Sequence, residues 1–150
     1  MVLRADIAAA FERAPLLAER VAARVAEDDD ADRVIALARE EIARLSERER
    51  IALLDAHPRI GAAPATLSTR SRAEQGAEGD PATLGELAQL NDEYERRFGF
   101  RFVVFVHGRT KEQIVPLLRA RVGRPRAEEL ATGIEEFLAI AKDRLGKGSG

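Results

Sequence analysis

The residues able to do chemistry in this chain are few. His57 and His107 are its two histidines in 150 residues, and His57 stands directly before a proline in the run AHPRIG. An imidazole titrates near neutrality, so it can give or take a proton at physiological pH. Proline disfavours the helical region for the residue before it. A helix through SERERIALLDA therefore ends around Ala56 and leaves His57 at its terminus, where the ring can be aimed into a cleft. The competing reading is structural: a histidine cation beside the terminal carbonyls of a helix.

A second cluster is SRAEQ, in which Ser71 and Glu74 lie three apart and Gln75 follows. Hydroxyl, carboxylate and amide together cover donor and acceptor roles toward a ligand with carbonyl and N–H groups. The same S-x-x-E spacing is also an ordinary capping box. The third cluster is FGFRFVVFVHGRTK. Its centre, Phe100 to Val106, is aromatic and β-branched and scores locally as a buried strand, yet no second β-like run exists to pair with it. It is read instead as an extended or helical piece in the core whose backbone groups need other partners, which leaves donors and acceptors for a ligand. Beyond it, His107, Arg109 and Lys111 surround a helix start at Thr110 where an anion could rest. A capped helix with solvated basic residues is the alternative there.

Helices must position all three clusters. Ile7, Ala10 and Phe11 mark a first amphipathic segment, and Pro15 starts a second with Leu16, Leu17, Val21 and Val25 inward. Val34, Ile35, Leu37, Ala38, Ile42 and Leu45 recur at spacings of three and four, after the polar run EDDDAD. Ser46 and Glu49 form a capping box for the helix that ends before His57. Ser68 or Ser71 is placed to cap a short helix through Glu74. Pro81 opens a helix with Leu84, Leu87, Leu90, Tyr94 and Phe98 on one side and Gly99 at its end. Thr110 and Gln113 box the next helix, with Pro116 near its first turn, and Leu130, Ile134, Phe137, Leu138, Ala141 and Leu145 line the last. The pattern predicts an all-α fold, a single compact domain of about seven to eight packed helices. The helical domain is expected over 1–145 and a disordered tail over 146–150.

Composition narrows the function classes. The formal charge is −2, from 24 basic and 26 acidic residues that are interspersed, with no Trp and one Tyr. Nucleic-acid binding is therefore not expected. With no cysteine there are no disulfides, thiolate nucleophiles or Cys-bound zinc. No apolar run approaches the ~20 residues of a membrane span, and the start does not read as a secretory signal. The expectation is a cytoplasmic protein without a membrane partner.

Taken in order, AHPRIG, SxxEQ, LNDEYERRFGFRFVVFVHGRTKEQI and RPRAEELATGIEEFLAIAKDRL closely resemble the family of 2-oxo-4-hydroxy-4-carboxy-5-ureidoimidazoline (OHCU) decarboxylases, from the first helix to about Leu145. The ordered set is specific; HP or EQ alone would mean little. The resemblance implies an all-α homodimer that removes CO2 from OHCU to give (S)-allantoin in urate breakdown, with no metal or organic cofactor. It implies His57 as proton donor and Glu74 as the catalytic carboxylate. Pro58, Ser71 and Gln75 would contact substrate, together with the main chain of Phe102, Val103, Val104, Phe105 and Val106. Arg109, with His107 beside it, is the candidate for a cationic contact after that segment.

Two other functions compete. A metal-dependent hydrolase would use His57, His107 and Glu74, though no H-x-x-x-H or H-x-x-x-D spacing occurs. A non-catalytic helical ligand-binding or interaction module would keep the fold without the reaction.

Overall fold

The computed structural model describes residues 2–62, 74–75 and 79–148. Among them the regular structure is helical throughout, with no strand: α1 (Arg4–Ala10), α2 (Pro15–Ala22), α3 (Ala31–Ala43), α4 (Glu47–Asp55), α5 (Pro81–Phe98), α6 (Lys111–Val122) and α7 (Arg126–Gly148). None of these helices is long and apolar enough to cross a membrane. Cα packing separates two units, Met1–Ala56 with Glu135–Gly150, and His57–Ile134.

In the first unit α1 packs on α2 and α2 on α3. The buried stripe of α3 is Val34, Ile35, Leu37, Ala38 and Ile42, the residues its periodicity selects. Phe11 meets Phe137 with ring centroids 6.0 Å apart. The predicted capping box of α4 is present: the Ser46 hydroxyl accepts from the Glu49 N–H and the Glu49 carboxylate from the Ser46 N–H. The end of α1 has a partner the sequence did not suggest. Buried Arg144 donates to the Ala10 carbonyl at 3.1 Å and pairs with Glu12 at 3.5 Å, covering a terminal carbonyl.

One inward assignment fails. Leu17 and Val21 are buried, but Leu16 is 55% exposed. Successive residues on a helix stand 100° apart, and the stripe through Leu17 and Val21 leaves Leu16 at its edge. Residues 146–148, expected to belong to a disordered tail, continue the last helix.

The second unit carries α5, α6 and α7 as far as Ile134, with α5 packed on α6. Asp80 caps α5 by accepting from the Thr83 N–H at 2.9 Å, with Pro81 in the first turn. Gly99 ends the helix in the left-handed region at φ +81°. From there the chain is extended. Phe100 and Phe102 alternate with Arg101, so both rings fall on one side, where they join Tyr94 at centroid distances of 6.0 and 5.4 Å. The Thr110–Gln113 box starts α6 as predicted. Pro116, expected near the first turn, lies just beyond it inside the helix, a position that removes one intrahelical donor.

Candidate active site

Proline terminates α4 as the sequence requires. Ala56 is the last residue with helical angles, and the chain turns out of the helix at His57. The loop from His57 to Gly61 is held at almost every residue. The His57 carbonyl accepts from Arg101 Nη1 at 2.9 Å. Arg59 forms ion pairs with two residues one turn apart on α5, Glu95 at 2.6 Å and Asp92 at 2.8 Å. Hydrogen bonding to Glu95 first, and to Asp92, raises the Arg59 pKa further. Ile60 is buried, and its carbonyl accepts from Asn91 Nδ2 at 3.2 Å. Gly61 adopts φ +83°, which L side chains rarely tolerate. His57 and Pro58 themselves stay partly exposed on this tethered loop.

Gln75 closes the loop from the other side. Its Oε1 accepts from the Gly61 N–H at 3.0 Å, and its Nε2 donates to the Arg59 carbonyl at 3.1 Å. Among the described residues one lone pair and one N–H of the amide take no partner. The Gln75 carbonyl accepts in turn from buried Lys111 at 3.3 Å. Glu74 and Gln75 are both helical; Gln75 is buried against the loop and Glu74 is partly exposed. Glu74 is thereby fixed one residue from two anchors. Ser71, the third member of the predicted polar cluster, lies outside the described residues, as does Ser68.

The segment Phe102 to Val106 is extended and is not a strand. Phe102, Val103 and Val106 are buried, while Val104 and Phe105 are partly exposed. Its carbonyls are held by side chains. Arg121 Nη1 donates to Val103 O at 2.8 Å, and Arg109 donates through Nε to Val106 O at 3.0 Å and through Nη2 to Phe105 O. Among the described residues nothing accepts from the N–H groups of Phe102, Val103, Val104 or Val106. His107 (φ 49°) and Gly108 (φ 77°) then reverse the chain, closed by the Arg109 N–H to Val106 O at 3.1 Å. Two positive φ values in the middle of a four-residue turn are the type I′ pattern. Arg109, expected as a cationic contact, braces this turn with two of its nitrogens, and His107 is exposed.

Two contacts thus bring the predicted segments together in one unit: Arg101 ties the strip to His57, and Gln75 ties Glu74 to the His57 loop. Several supporting residues left no sequence signal of their own. Glu129, with no exposure, accepts from Tyr94 at 2.7 Å, Arg121 at 2.7 Å and Arg124 at 2.8 Å. Burial first, and the hydrogen bond to Glu129, push the Tyr94 hydroxyl well above its ordinary pKa. In sequence, Arg121 and Glu129 look like any charged residues of a solvated helix face. Among the described residues no three His, Asp or Glu side chains come together as a metal site, so the hydrolase reading has no ligand set there.

A sequence model of the family described as OHCU decarboxylase matches residues 3–146. The chain is 36% identical over 113 residues to the uric acid degradation bifunctional protein PucL of Bacillus subtilis (strain 168), covering 69% of this chain and 22% of that protein. It is 36% identical over 83 residues to a 2-oxo-4-hydroxy-4-carboxy-5-ureidoimidazoline decarboxylase of Amia calva, covering 53% of this chain and 47% of that one. The chain therefore spans less than half the length of either relative. A crystal structure of OHCU decarboxylase in the presence of (S)-allantoin has the same fold, with TM-score 0.74 at 22% identity over 93% of this chain and 94% of the other. With the family match running through nearly every described helix, the chain belongs to the OHCU decarboxylase family.

Proposed function

We propose that this protein decarboxylates OHCU to (S)-allantoin without a metal or organic cofactor, acting as a cytoplasmic homodimer. The observation that carries the reading is the joining of three segments in one unit: the His57 loop, the Glu74–Gln75 pair and the Phe102–Val106 strip. Relatives named as OHCU decarboxylases and uric acid degradation proteins supply the substrate.

The substrate name sets the task. One ring carbon bears both hydroxyl and carboxylate, and the neighbouring ring carbon bears the ureido group and a C=N bond. When CO2 leaves, its bonding pair forms a C=C bond between the two carbons while the C=N pair moves onto nitrogen, which takes up a proton. The resulting enol then loses its O–H proton as one proton is added to the ureido-bearing carbon, leaving the C=O of allantoin. The substrate is its own electron sink.

His57 delivers that last proton to one face, which sets the S configuration. Glu74 orients the imidazole or takes the enol proton. Main-chain N–H groups of Phe102 to Val106 donate to substrate oxygens as charge builds on them, a form of help that can exceed 10²-fold for about one well-placed donor. Gln75 offers a donor and an acceptor to the ureido group after serving the loop, Ser71 and Pro58 are assigned to the substrate as well, and Arg109, which holds the Phe105 and Val106 carbonyls, is the cation offered at the strip's end. The test is circular dichroism of allantoin formed from freshly generated OHCU. His57→Asn should fold normally and lose most production of the S enantiomer, with a deficit of about 10²–10⁴-fold expected for a lost general acid. Wild-type turnover in that variant would remove His57 from the reaction, and tight allantoin binding without turnover in the wild type would make the chain a binding module.

A further inference from the structure

In an extended strip that binds through its main chain, whatever holds the carbonyl end of a peptide also sets the direction and strength of its N–H. The Val103 carbonyl and the Val104 N–H belong to one peptide unit. Arg121 donates to that carbonyl from Nη1 at 2.8 Å. Its guanidinium lies 4.5 Å from the centroid of the Phe102 ring, and its Nε donates to Glu129 at 2.7 Å. The remaining nitrogen, Nη2, is buried with no hydrogen-bond partner among the described residues. Arg121 is 8% exposed and Glu129 0%. The pair cannot swing aside, because Tyr94 and Arg124 hold the carboxylate from two further directions.

We propose that Arg121 is a positioning residue for catalysis: from behind the strip it fixes and polarises the Val103–Val104 peptide, so that the Val104 N–H is a stronger, aimed donor to the reacting substrate. The proposal rests on the decarboxylase reading above. Its physical basis is cooperativity. A charge-assisted hydrogen bond at a carbonyl oxygen draws electron density through the amide and makes the N–H at the other end a better donor, most effectively where water is excluded. Val104 is suited to this role, being partly exposed while Val103 beside it is buried. Arg109 offers a comparison at the far end of the strip, where it holds the Phe105 and Val106 carbonyls.

The full chain is compared as wild type, Arg121→Lys, and Arg121→Met combined with Glu129→Gln, which removes both buried charges together. Two measurements are made: the amide proton shift of Val104 by NMR, and steady-state decarboxylation of freshly generated OHCU. The double variant should move the Val104 proton upfield and leave the amides of α3 in place. It should lower kcat by about tenfold, less than the ~10²–10³-fold cost of deleting an oxyanion donor outright, with KM nearly unchanged. Arg121→Lys, which keeps a charge but not the fork, should fall between, and it carries the test alone if the double variant does not fold. A folded variant with wild-type kcat, or with an unmoved Val104 amide, overturns the proposal while the function stands. A wild-type chain that does not decarboxylate OHCU overturns the functional reading, and the proposal with it.

Discussion

Replacing Gln75 by methionine conserves volume and removes both hydrogen bonds that close the His57 loop. The Gly61 N–H and the Arg59 carbonyl then lose the partners they have at 3.0 and 3.1 Å. A polar group left without its partner costs about 1–3 kcal/mol, and these sites are only partly buried, so about 1–1.5 kcal/mol applies to each. Together that is about 2–3 kcal/mol, or a fall in Tm of about 4–12 °C for a chain of this size. Differential scanning calorimetry measures the shift, and hydrogen exchange locates it: the Gly61 amide should exchange faster, while amides in α3 change only as global stability does. The remaining ties, Arg101 to His57, Arg59 to α5 and Asn91 to Ile60, keep the loop from melting entirely. Tm within about 1 °C of wild type together with an unchanged Gly61 exchange rate would show that the amide does not hold the loop, against the usual cost of such a loss.

Two further outcomes separate local roles. His107→Asn places Asn-Gly in the type I′ turn, the pair that best tolerates two positive φ values; stability should hold or rise by up to about 1 kcal/mol, by chemical denaturation, with turnover unchanged. A collapse of activity in that variant would instead put the exposed imidazole into the chemistry. Asp80 has its pKa lowered chiefly by the backbone N–H of Thr83 at the start of α5. A carboxylate whose folded pKa is depressed contributes stability above its unfolded value of about 4 and loses it as pH falls through the folded value. The Tm gap between wild type and Asp80→Asn should therefore narrow as the pH is lowered below that range. A gap independent of pH would mean that the charge contributes nothing to the cap.

The site was partly legible because chain-breaking and capping are local. Pro58 had to end α4 around Ala56 and leave His57 beyond its terminus, and in the structure the helix runs to Asp55 with Ala56 as its cap. The strip FRFVVFV was recognisable as an exception from its crowding of aromatic and β-branched residues with no partner strand elsewhere in the sequence; the sequence left it extended or helical, and the structure makes it extended. Its backbone bonds go to arginines, which no periodicity could assign. Gln75 was read as a ligand contact from its order among the family motifs, and the structure adds that half of its amide capacity serves the loop.

What the sequence determined by itself is every feature whose physics closes within a turn or two: the caps at Ser46 and Thr110, the helix start at Pro81, the helix end at Gly99, the apolar stripes of α3 and α7, and the ordered motifs of the family. Only the tertiary structure decided which charged residues turn inward. Arg101 finds the His57 carbonyl 44 residues away, and Arg59 finds Glu95 36 residues away. Charged side chains default to water unless a distant partner offsets their desolvation, and that partner exists only once the helices have packed.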